Sequence, residues 1–127
     1  MKIFGIGTDI VRVSRIKSSL KKKIFLSRIF NELEVNKCKK NINSSNCFAK
    51  RYAAKEAFSK ALGTGIAKGI NFNEIIVINE KNGRPIIKLI KKTKKAVEKK
   101  IKKKKYKISL SLSDEKNYAV AFVTISV

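Results

Sequence analysis

Residues 46–63 read NCFAKRYAAKEAFSKALG and carry the strongest helical pattern in the chain. Small and apolar residues recur there at the spacing of one helix face, which predicts an amphipathic helix over about 46–62. They are Phe48, Tyr52, Ala53, Ala57, Ala61 and Leu62. Gly63 comes next and is well placed to end the helix, because glycine adopts the left-handed terminal conformation at little cost.

Five other segments alternate in the manner of β-strands. They are residues 2–10, 72–80, 86–90, 106–113 and 117–127. An Asn82-Gly83 turn joins the second of these segments to the third and predicts a hairpin. The last two segments predict a second hairpin.

Helical spacing returns from about Val13, where Ser14 is a candidate N-cap, then through residues 24–40, and again over 91–105. With about four helices and five strands, the sequence predicts an α+β fold. We expect a single domain over residues 1–127, in which a small, mainly antiparallel sheet packs on helices.

The composition is strongly basic, with 31 Lys and Arg against nine Asp and Glu and a formal net charge of +22. Such a surface attracts polyanions, so a lysine-driven nucleic-acid or polyanion binding module is the alternative function. The codon bias of an AT-rich genome accounts for the lysines equally well. The chain has no Trp, and Tyr106 is the aromatic nearest the lysine-rich run at 91–105. The run therefore has few aromatic rings on which nucleic-acid bases could stack.

The absence of histidine excludes His-based triads, imidazole bases and histidine metal ligands. Cys38 and Cys47 do not form a metal-type pair, and we expect both to be reduced. Asp9 and Arg12 interrupt the N-terminal apolar run, which argues against a secretory signal. Since no segment approaches about 18 uninterrupted apolar residues, no transmembrane helix is expected. The sequence thus predicts a soluble, cytoplasmic protein.

Two carboxylates stand in otherwise apolar or small-residue segments: Asp9 in the first strand and Glu56 in the strong helix. Tyr52, Glu56, Lys60 and Gly63 share one helix face. Two carboxylates from separate elements could hold one Mg²⁺, which prefers oxygen ligands. The alternative for Glu56 is an ordinary surface pair with Lys60, worth about 0.2–0.5 kcal/mol.

Four segments occur in the order seen in one family, and together they cover nearly the whole chain. They are GIGTDIVRVSRI at 5–16, FAKRYAAKEAFSKALGTGI at 48–66, NGRP at 82–85 and SLSDEKNYAVAFV at 111–123. The chain resembles the holo-(acyl-carrier-protein) synthases, the small 4′-phosphopantetheinyl transferases of bacteria. The first two motifs are specific, and both are present without gaps.

The resemblance implies transfer of 4′-phosphopantetheine from coenzyme A to a serine of apo acyl carrier protein, in fatty acid biosynthesis. The other product is adenosine 3′,5′-bisphosphate. It also implies a homotrimer with active sites between subunits, an acidic carrier protein as partner, and no membrane or nucleic-acid partner. A transferase relic that only binds its carrier protein is a further alternative.

By the same resemblance, Asp9 and Glu56 bind Mg²⁺, and Glu56 and Lys60 are catalytic. Glu56, directly or through a metal-bound water, is the first candidate for the base, and Asp9 is the second. Arg15 docks the carrier protein, and Lys55 serves the 3′-phosphate or the acceptor. Coenzyme A contacts Arg51, Lys60, Gly63, Gly65, Gly83, Arg84 and Pro85.

Two further points follow from the resemblance. The glycines before Asp9 keep the approach to the metal uncrowded. Many family members carry histidine where this chain has Asp114, so we assign no catalytic role to that position.

Overall fold

Five strands and five α-helices follow one another through the described part of the chain. The computed structural model describes residues 1–63 and 69–127; the segment between them, which includes Gly65, lies outside the described residues. The elements are β1 (Ile3–Arg12), α1 (Val13–Ser19), α2 (Lys23–Ile29), α3 (Glu32–Lys39), α4 (Ser44–Leu62), a 3₁₀ turn (Phe72–Glu74), β2 (Ile75–Asn79), β3 (Pro85–Leu89), α5 (Lys91–Ile101), β4 (Lys107–Asp114) and β5 (Tyr118–Ser126).

Helix α4 is the centre of the core. It begins two residues earlier than predicted and ends, as predicted, at Gly63, whose φ is 85°. Most of its side chains are buried, because the sheet covers one side and the short helices cover another. The buried apolar residues of α4 are Cys47, Phe48, Ala49, Ala53, Ala54, Ala57, Phe58, Ala61 and Leu62.

A three-stranded antiparallel sheet packs on α4, with β5 between β1 and β4. Alternate residues of β5 point toward the helix and are buried, as the period of a strand requires. They are Ala119, Ala121, Val123 and Ile125. The β2–β3 hairpin forms a separate two-stranded antiparallel sheet, so the predicted α+β class is confirmed.

Gly5 and Gly7 let β1 lie directly against α4. A Cβ atom built on Gly5 would stand 1.8 Å from the backbone oxygen of Ala61, and one on Gly7 would stand 1.9 Å from that of Ala57. No side chain fits in that space. In this structure the glycines before Asp9 therefore allow β1 to pack against α4. The resemblance implied a different role, in which they keep the approach to the metal uncrowded.

The first three helices depart from the predicted pattern. The continuous helix over 24–40 is wrong, because Phe30 is extended (ψ 138°) and Asn31 begins α3 with a capping box. The Asn31 side chain accepts from the Leu33 N–H, and Glu34 accepts from the Asn31 N–H. Ser14 is not an N-cap either, because α1 already begins at Val13.

The prediction of two reduced cysteines is also wrong for this structure. Cys38 and Cys47 form a disulfide, with their Cα atoms 5.4 Å apart. Cys38 lies in the last turn of α3 and Cys47 in the first turn of α4. The short connection between the two helices folds these turns onto each other, and this proximity is not visible in the spacing of the two residues.

Candidate active site

A salt bridge joins β1 to α4 at the predicted carboxylate. Lys60 Nζ lies 3.3 Å from Asp9 Oδ1 and donates to the Thr8 carbonyl at 2.9 Å. The Asp9 side chain is 17% exposed and that of Lys60 54% exposed, so the pair lies at the protein surface with the carboxylate recessed. The cation beside Asp9 is thus the ammonium of Lys60, which the helical pattern placed on the same face as Glu56.

Tyr52 connects this pair to Glu56. Its hydroxyl donates to Glu56 Oε1 at 3.0 Å, and the Arg15 guanidinium lies 5.8 Å from its ring centroid. Burial raises the pKa of Tyr52, and the charge and hydrogen bond of Glu56 and the charge of Asp9 raise it further, while Arg15 opposes them. Asp9, Arg15 and Glu56 all act on Tyr52, and Lys60 pairs with Asp9, so we call these five residues the carboxylate cluster.

The carboxylate cluster fits a hard divalent cation. Its donors are two carboxylates carried by rigid elements, and Tyr52 hydrogen-bonds one oxygen of Glu56. In the described residues no group of three or more acidic, cysteine or histidine side chains is gathered as a metal cage. Two carboxylates suffice for Mg²⁺, which usually keeps several waters and binds substrate phosphates as well.

A cavity of about 540 Å³ opens beside Glu56. Apolar, amide and charged side chains line it, and they come from α2, α4, the 3₁₀ turn and the two residues before that turn. Its lining includes Arg28, Ile29, Tyr52, Phe72, Asn71 and Asn73. A group held at the carboxylate cluster therefore has space beside it for an extended, amide-bearing chain.

A second cavity, of about 530 Å³, lies at the other predicted substrate segment. Arg51, Gly83 and Pro85 line it, and lysines 37, 50 and 81 surround it. Arg51 is only 5% exposed. We call this cavity the basic pocket, because it gathers four cationic side chains and suits an anionic ligand.

Arg51 is tied into the wall of the basic pocket. It donates to the Cys47 carbonyl at 3.4 Å and to Asn79 Oδ1 at 3.1 Å. Asn79 in turn donates to the Gly83 carbonyl at 3.0 Å. The Nε atom of Arg51 meets no hydrogen-bond acceptor among the described residues. Burial lowers the pKa of Arg51, and the charge of Glu34 partly opposes this.

One chain does not bring all the predicted coenzyme A residues together. Arg51 and Lys60 are nine residues apart, which puts them roughly 180° apart around α4 and about 13 Å apart along its axis. The basic pocket and the carboxylate cluster thus lie on opposite sides of the helix. Gly63 lies at the end of α4 nearer Lys60, and Gly65 is outside the described residues.

Lys55 is the site prediction that the structure overturns. Its side chain is fully buried and pairs with Glu34, so it cannot reach a 3′-phosphate or an acceptor. Burial lowers its pKa to about 8, although Glu34 raises it. The sequence placed Tyr52 on the same helix face as Glu56, but no role in the site was predicted for it. Its position four residues before Glu56 was a usable signal, because residues at that spacing touch.

Asp114 has a structural role in this fold. Its carboxylate lies 3.4 Å from Lys50 Nζ and accepts from the Asn46 amide at 3.0 Å. These contacts tie the end of β4 to the first turns of α4.

Comparison with known proteins points to one family. The sequence matches the model of the 4′-phosphopantetheinyl transferase superfamily over residues 5–123. A holo-(acyl-carrier-protein) synthase of Pelagibacter ubique is 48% identical over 125 residues, which cover 98% of each protein.

Solved structures agree over nearly the full length. The holo-(acyl-carrier-protein) synthase of Neisseria meningitidis has a TM-score of 0.88 at 36% identity, covering 98% of this chain and 99% of that one. That of Bacillus anthracis, solved in complex with CoA (3′,5′-ADP), has a TM-score of 0.80 at 37% identity, covering 99% and 98%. The predicted relationship is confirmed: this chain belongs to the 4′-phosphopantetheinyl transferase superfamily.

Proposed function

We propose that this chain transfers 4′-phosphopantetheine from coenzyme A to a serine hydroxyl of an apo acyl carrier protein. The serine oxygen forms a bond to the pantetheine-bearing phosphorus, the pyrophosphate P–O bond breaks, and adenosine 3′,5′-bisphosphate leaves. The serine proton passes to a base. The observation that carries the proposal is the carboxylate cluster: Lys60 pairs with Asp9, and Tyr52 on the same helix holds Glu56, in a chain of the 4′-phosphopantetheinyl transferase superfamily.

Asp9 and Glu56 are the residues that would hold Mg²⁺. When bound, the ion neutralises charge on the pyrophosphate, which is the main requirement of phosphoryl-type transfer. Lys60 is half exposed and its ammonium lies beside Asp9. It can therefore stabilise the phosphate oxygens as a point charge.

Glu56, directly or through a water, remains our first candidate for the base, and Asp9 the second. Tyr52 contributes by orientation, because its hydroxyl fixes one oxygen of Glu56. This hydrogen bond holds the Glu56 side chain in one orientation before substrate binds.

The basic pocket is our proposed site for the nucleotide end of coenzyme A. Its cations suit the 3′-phosphate, and its walls include Arg51, Gly83 and Pro85. Arg84 is the neighbouring residue of the same turn. Gly63 and Gly65 follow Lys60 along the chain, where the resemblance implies further coenzyme A contacts.

A homotrimer with sites between subunits reconciles these two places. Since the basic pocket and the carboxylate cluster face away from each other in one chain, a second copy can supply the missing half. The outer face of the β1–β5–β4 sheet offers a surface for this assembly, because large apolar side chains stand exposed on it. They are Ile6, Ile10, Tyr118 and Phe122, with exposures of 59%, 63%, 43% and 45%.

An acidic acyl carrier protein is the proposed partner. Arg15 projects from α1 over Tyr52, next to the cluster, and the lysines of 17–23 extend a basic surface that would steer an acidic protein. The cytoplasm is the compartment we propose for the reaction. Over residues 1–63 and 69–127, no helix has the length and apolar character needed to cross a membrane.

The direct test is the intact mass of apo acyl carrier protein after incubation with this protein, coenzyme A and Mg²⁺. We expect a gain of one phosphopantetheine group, lost on addition of a chelator and lost with Asp9→Ala. Glu32→Ala, which removes an exposed carboxylate on α3, is the matched control and should transfer normally.

Failure would also be informative. A folded protein that leaves a cognate carrier unmodified would overturn the transferase assignment. Carrier binding without transfer would then support the relic, and salt-sensitive nucleic-acid binding alone would support the lysine-driven module.

A further inference from the structure

A buried ion pair lies between α3 and α4. Glu34 is 1% exposed and Lys55 is 0% exposed. Lys55 Nζ donates to Glu34 Oε1 at 2.7 Å, to the Phe72 carbonyl at 2.7 Å, and to the Ile75 carbonyl. An ammonium has three N–H groups, so every donor of Lys55 is used inside the protein.

Glu34 is as fully engaged as its partner. Its Oε1 atom also accepts from the Asn31 N–H at 3.0 Å, and Oε2 accepts from the Val77 N–H at 3.0 Å. The pair thus ties three parts of the chain together: the start of α3, the middle of α4, and the start of the β2–β3 hairpin with its preceding 3₁₀ turn.

Such a pair contributes little net stability, because the cost of removing two charges from water offsets their attraction. A fully satisfied buried network instead fixes the relative orientation of the elements that it joins. Here the elements are the helix that carries Glu56 and Lys60, and the hairpin whose turn at 82–85 borders the basic pocket.

We propose that Glu34 and Lys55 are positioning residues for coenzyme A: they hold the β2–β3 hairpin against α4, so that the turn at 82–85 meets the nucleotide end of the substrate. This inference rests on the proposed function. The pair touches neither the carboxylate cluster nor the solvent. Its effect therefore falls on the hairpin and on the 3₁₀ turn before it, while the contacts of Asp9, Glu56 and Lys60 are left in place.

The test is Lys55→Met, which keeps the length of the side chain and removes its three donations. We expect KM for coenzyme A to rise about tenfold, with kcat at saturating coenzyme A and KM for the carrier protein within about threefold of wild type. Hydrogen exchange should quicken in peptides covering 75–89 and stay unchanged in β1 and β5.

Val97→Ala is the control for a general loss of stability. Val97 is fully buried in α5 and lies outside the network, so this variant should keep the wild-type KM for coenzyme A. Should Lys55→Met fail to fold, Glu34→Gln is measured instead. It keeps the side-chain size and leaves one oxygen to accept, and we expect the same pattern with a smaller change.

A folded variant with wild-type KM for coenzyme A, or with equal losses for both substrates, would overturn the inference. So would unchanged exchange in the hairpin. Hydrogen exchange needs no turnover, so it separates the two proposals. Wild-type protein that transfers nothing would contradict the proposed function. The exchange result would still decide whether Glu34 and Lys55 position the hairpin.

Discussion

At the scale of single residues, the most restrictive position is Gly7. Its α carbon faces the Ala57 carbonyl so closely that even a methyl group would stand 1.9 Å from that oxygen. A contact this short cannot be relieved by a flexible side chain, because both partners are backbone. Gly7 therefore sets the distance between the strand that carries Asp9 and the helix that carries Glu56.

We expect Gly7→Ala to lower the free energy of unfolding by about 3 kcal/mol or more, because β1 must move away from α4. Urea unfolding measures this change. Thr8→Ala, one residue along the same strand at an exposed position, should cost much less. Equal losses for the two variants would show that β1 does not need close approach.

Two kinds of signal in the sequence singled out residues of the carboxylate cluster. Glu56 and Lys60 are four apart on one helix, and an acid in an apolar strand is rare enough to stand out. Lys55 was not predictable. It is adjacent to Glu56 in sequence, but its surroundings come from Glu34 and from the 3₁₀ turn, both distant along the chain.

At the scale of elements, Glu74 anchors the start of α5. Its Oε1 atom accepts from the Thr93 hydroxyl at 2.8 Å, from the Thr93 N–H at 3.2 Å and from the Asn71 amide at 3.2 Å. Desolvation raises the pKa of Glu74, but these hydrogen bonds and the charge of Lys91 outweigh it, so the pKa is lowered.

A lowered pKa in the folded state gives a stability that is present above the ordinary value of 4.5 and is lost as the pH falls through the folded value. We expect Glu74→Gln to be less stable than wild type near neutral pH and to approach wild type in acid. Urea unfolding from pH 3 to 7 measures both curves. A difference that stays constant over this range would contradict the role of the charge.

The lysines of α5 are expected to be dispensable for transfer. They project from a helix whose buried residues are Thr93, Val97 and Ile101, and no residue of α5 lines the cavity beside Glu56 or the basic pocket. Reversing the charge of Lys92, Lys95 and Lys99 to Glu should leave kcat/KM within about twofold at 0.15 M salt, where distant charges are screened. Loss of activity would show that the run is functional.

Element boundaries followed the sequence where a residue of special conformation marked them. Gly63 gave the correct C-terminal end of α4, and the Asn82-Gly83 turn placed the ends of β2 and β3 that flank it. The predicted start of the second strand at residue 72 was wrong, because Phe72–Glu74 form a 3₁₀ turn. The break between α2 and α3 was missed, because apolar residues at helical spacing continue through Phe30. The capping box of Asn31 and Glu34 marks it, and the same Glu34 is held in place by contacts with Lys55 and Val77.

At the scale of the whole molecule, the outer sheet face should determine assembly. We expect Phe122→Glu to lower the molar mass seen by light scattering and to reduce transfer about 100-fold or more, because a charge would enter an apolar contact. Leu33→Glu alters an apolar side chain that is 60% exposed on α3 and should change neither. An unchanged mass for Phe122→Glu would contradict the trimer proposed through this face.

Shared sites predict complementation between two inactive variants. Asp9→Ala removes one carboxylate of the carboxylate cluster, and Arg84→Ala removes the cation of the turn whose neighbours Gly83 and Pro85 line the basic pocket. We assume that each site combines the carboxylate cluster of one subunit with the basic pocket of the next. The two variants are mixed in equal amounts, unfolded and refolded together, and roughly a quarter of wild-type transfer per chain should then return. No recovery in the mixed assemblies would place both halves of the site in one subunit.

The fold class and the family were within reach of the sequence, since each depends on local patterns or on ordered motifs. The disulfide, the Glu34–Lys55 pair and the separation of the two cavities depend on how α3, α4 and the hairpin meet. Long-range packing decides those contacts, and a single sequence shows no pattern for them.

The contact of Gly5 and Gly7 with α4 also bears on motion during turnover. Backbone touches backbone there, so strand and helix cannot rock or slide past each other without collision. We therefore expect Asp9 and Glu56 to keep the same separation when substrates bind and when products leave. On this basis, we expect substrates to bind to a rigid frame, with little of their binding energy spent on rearranging the protein.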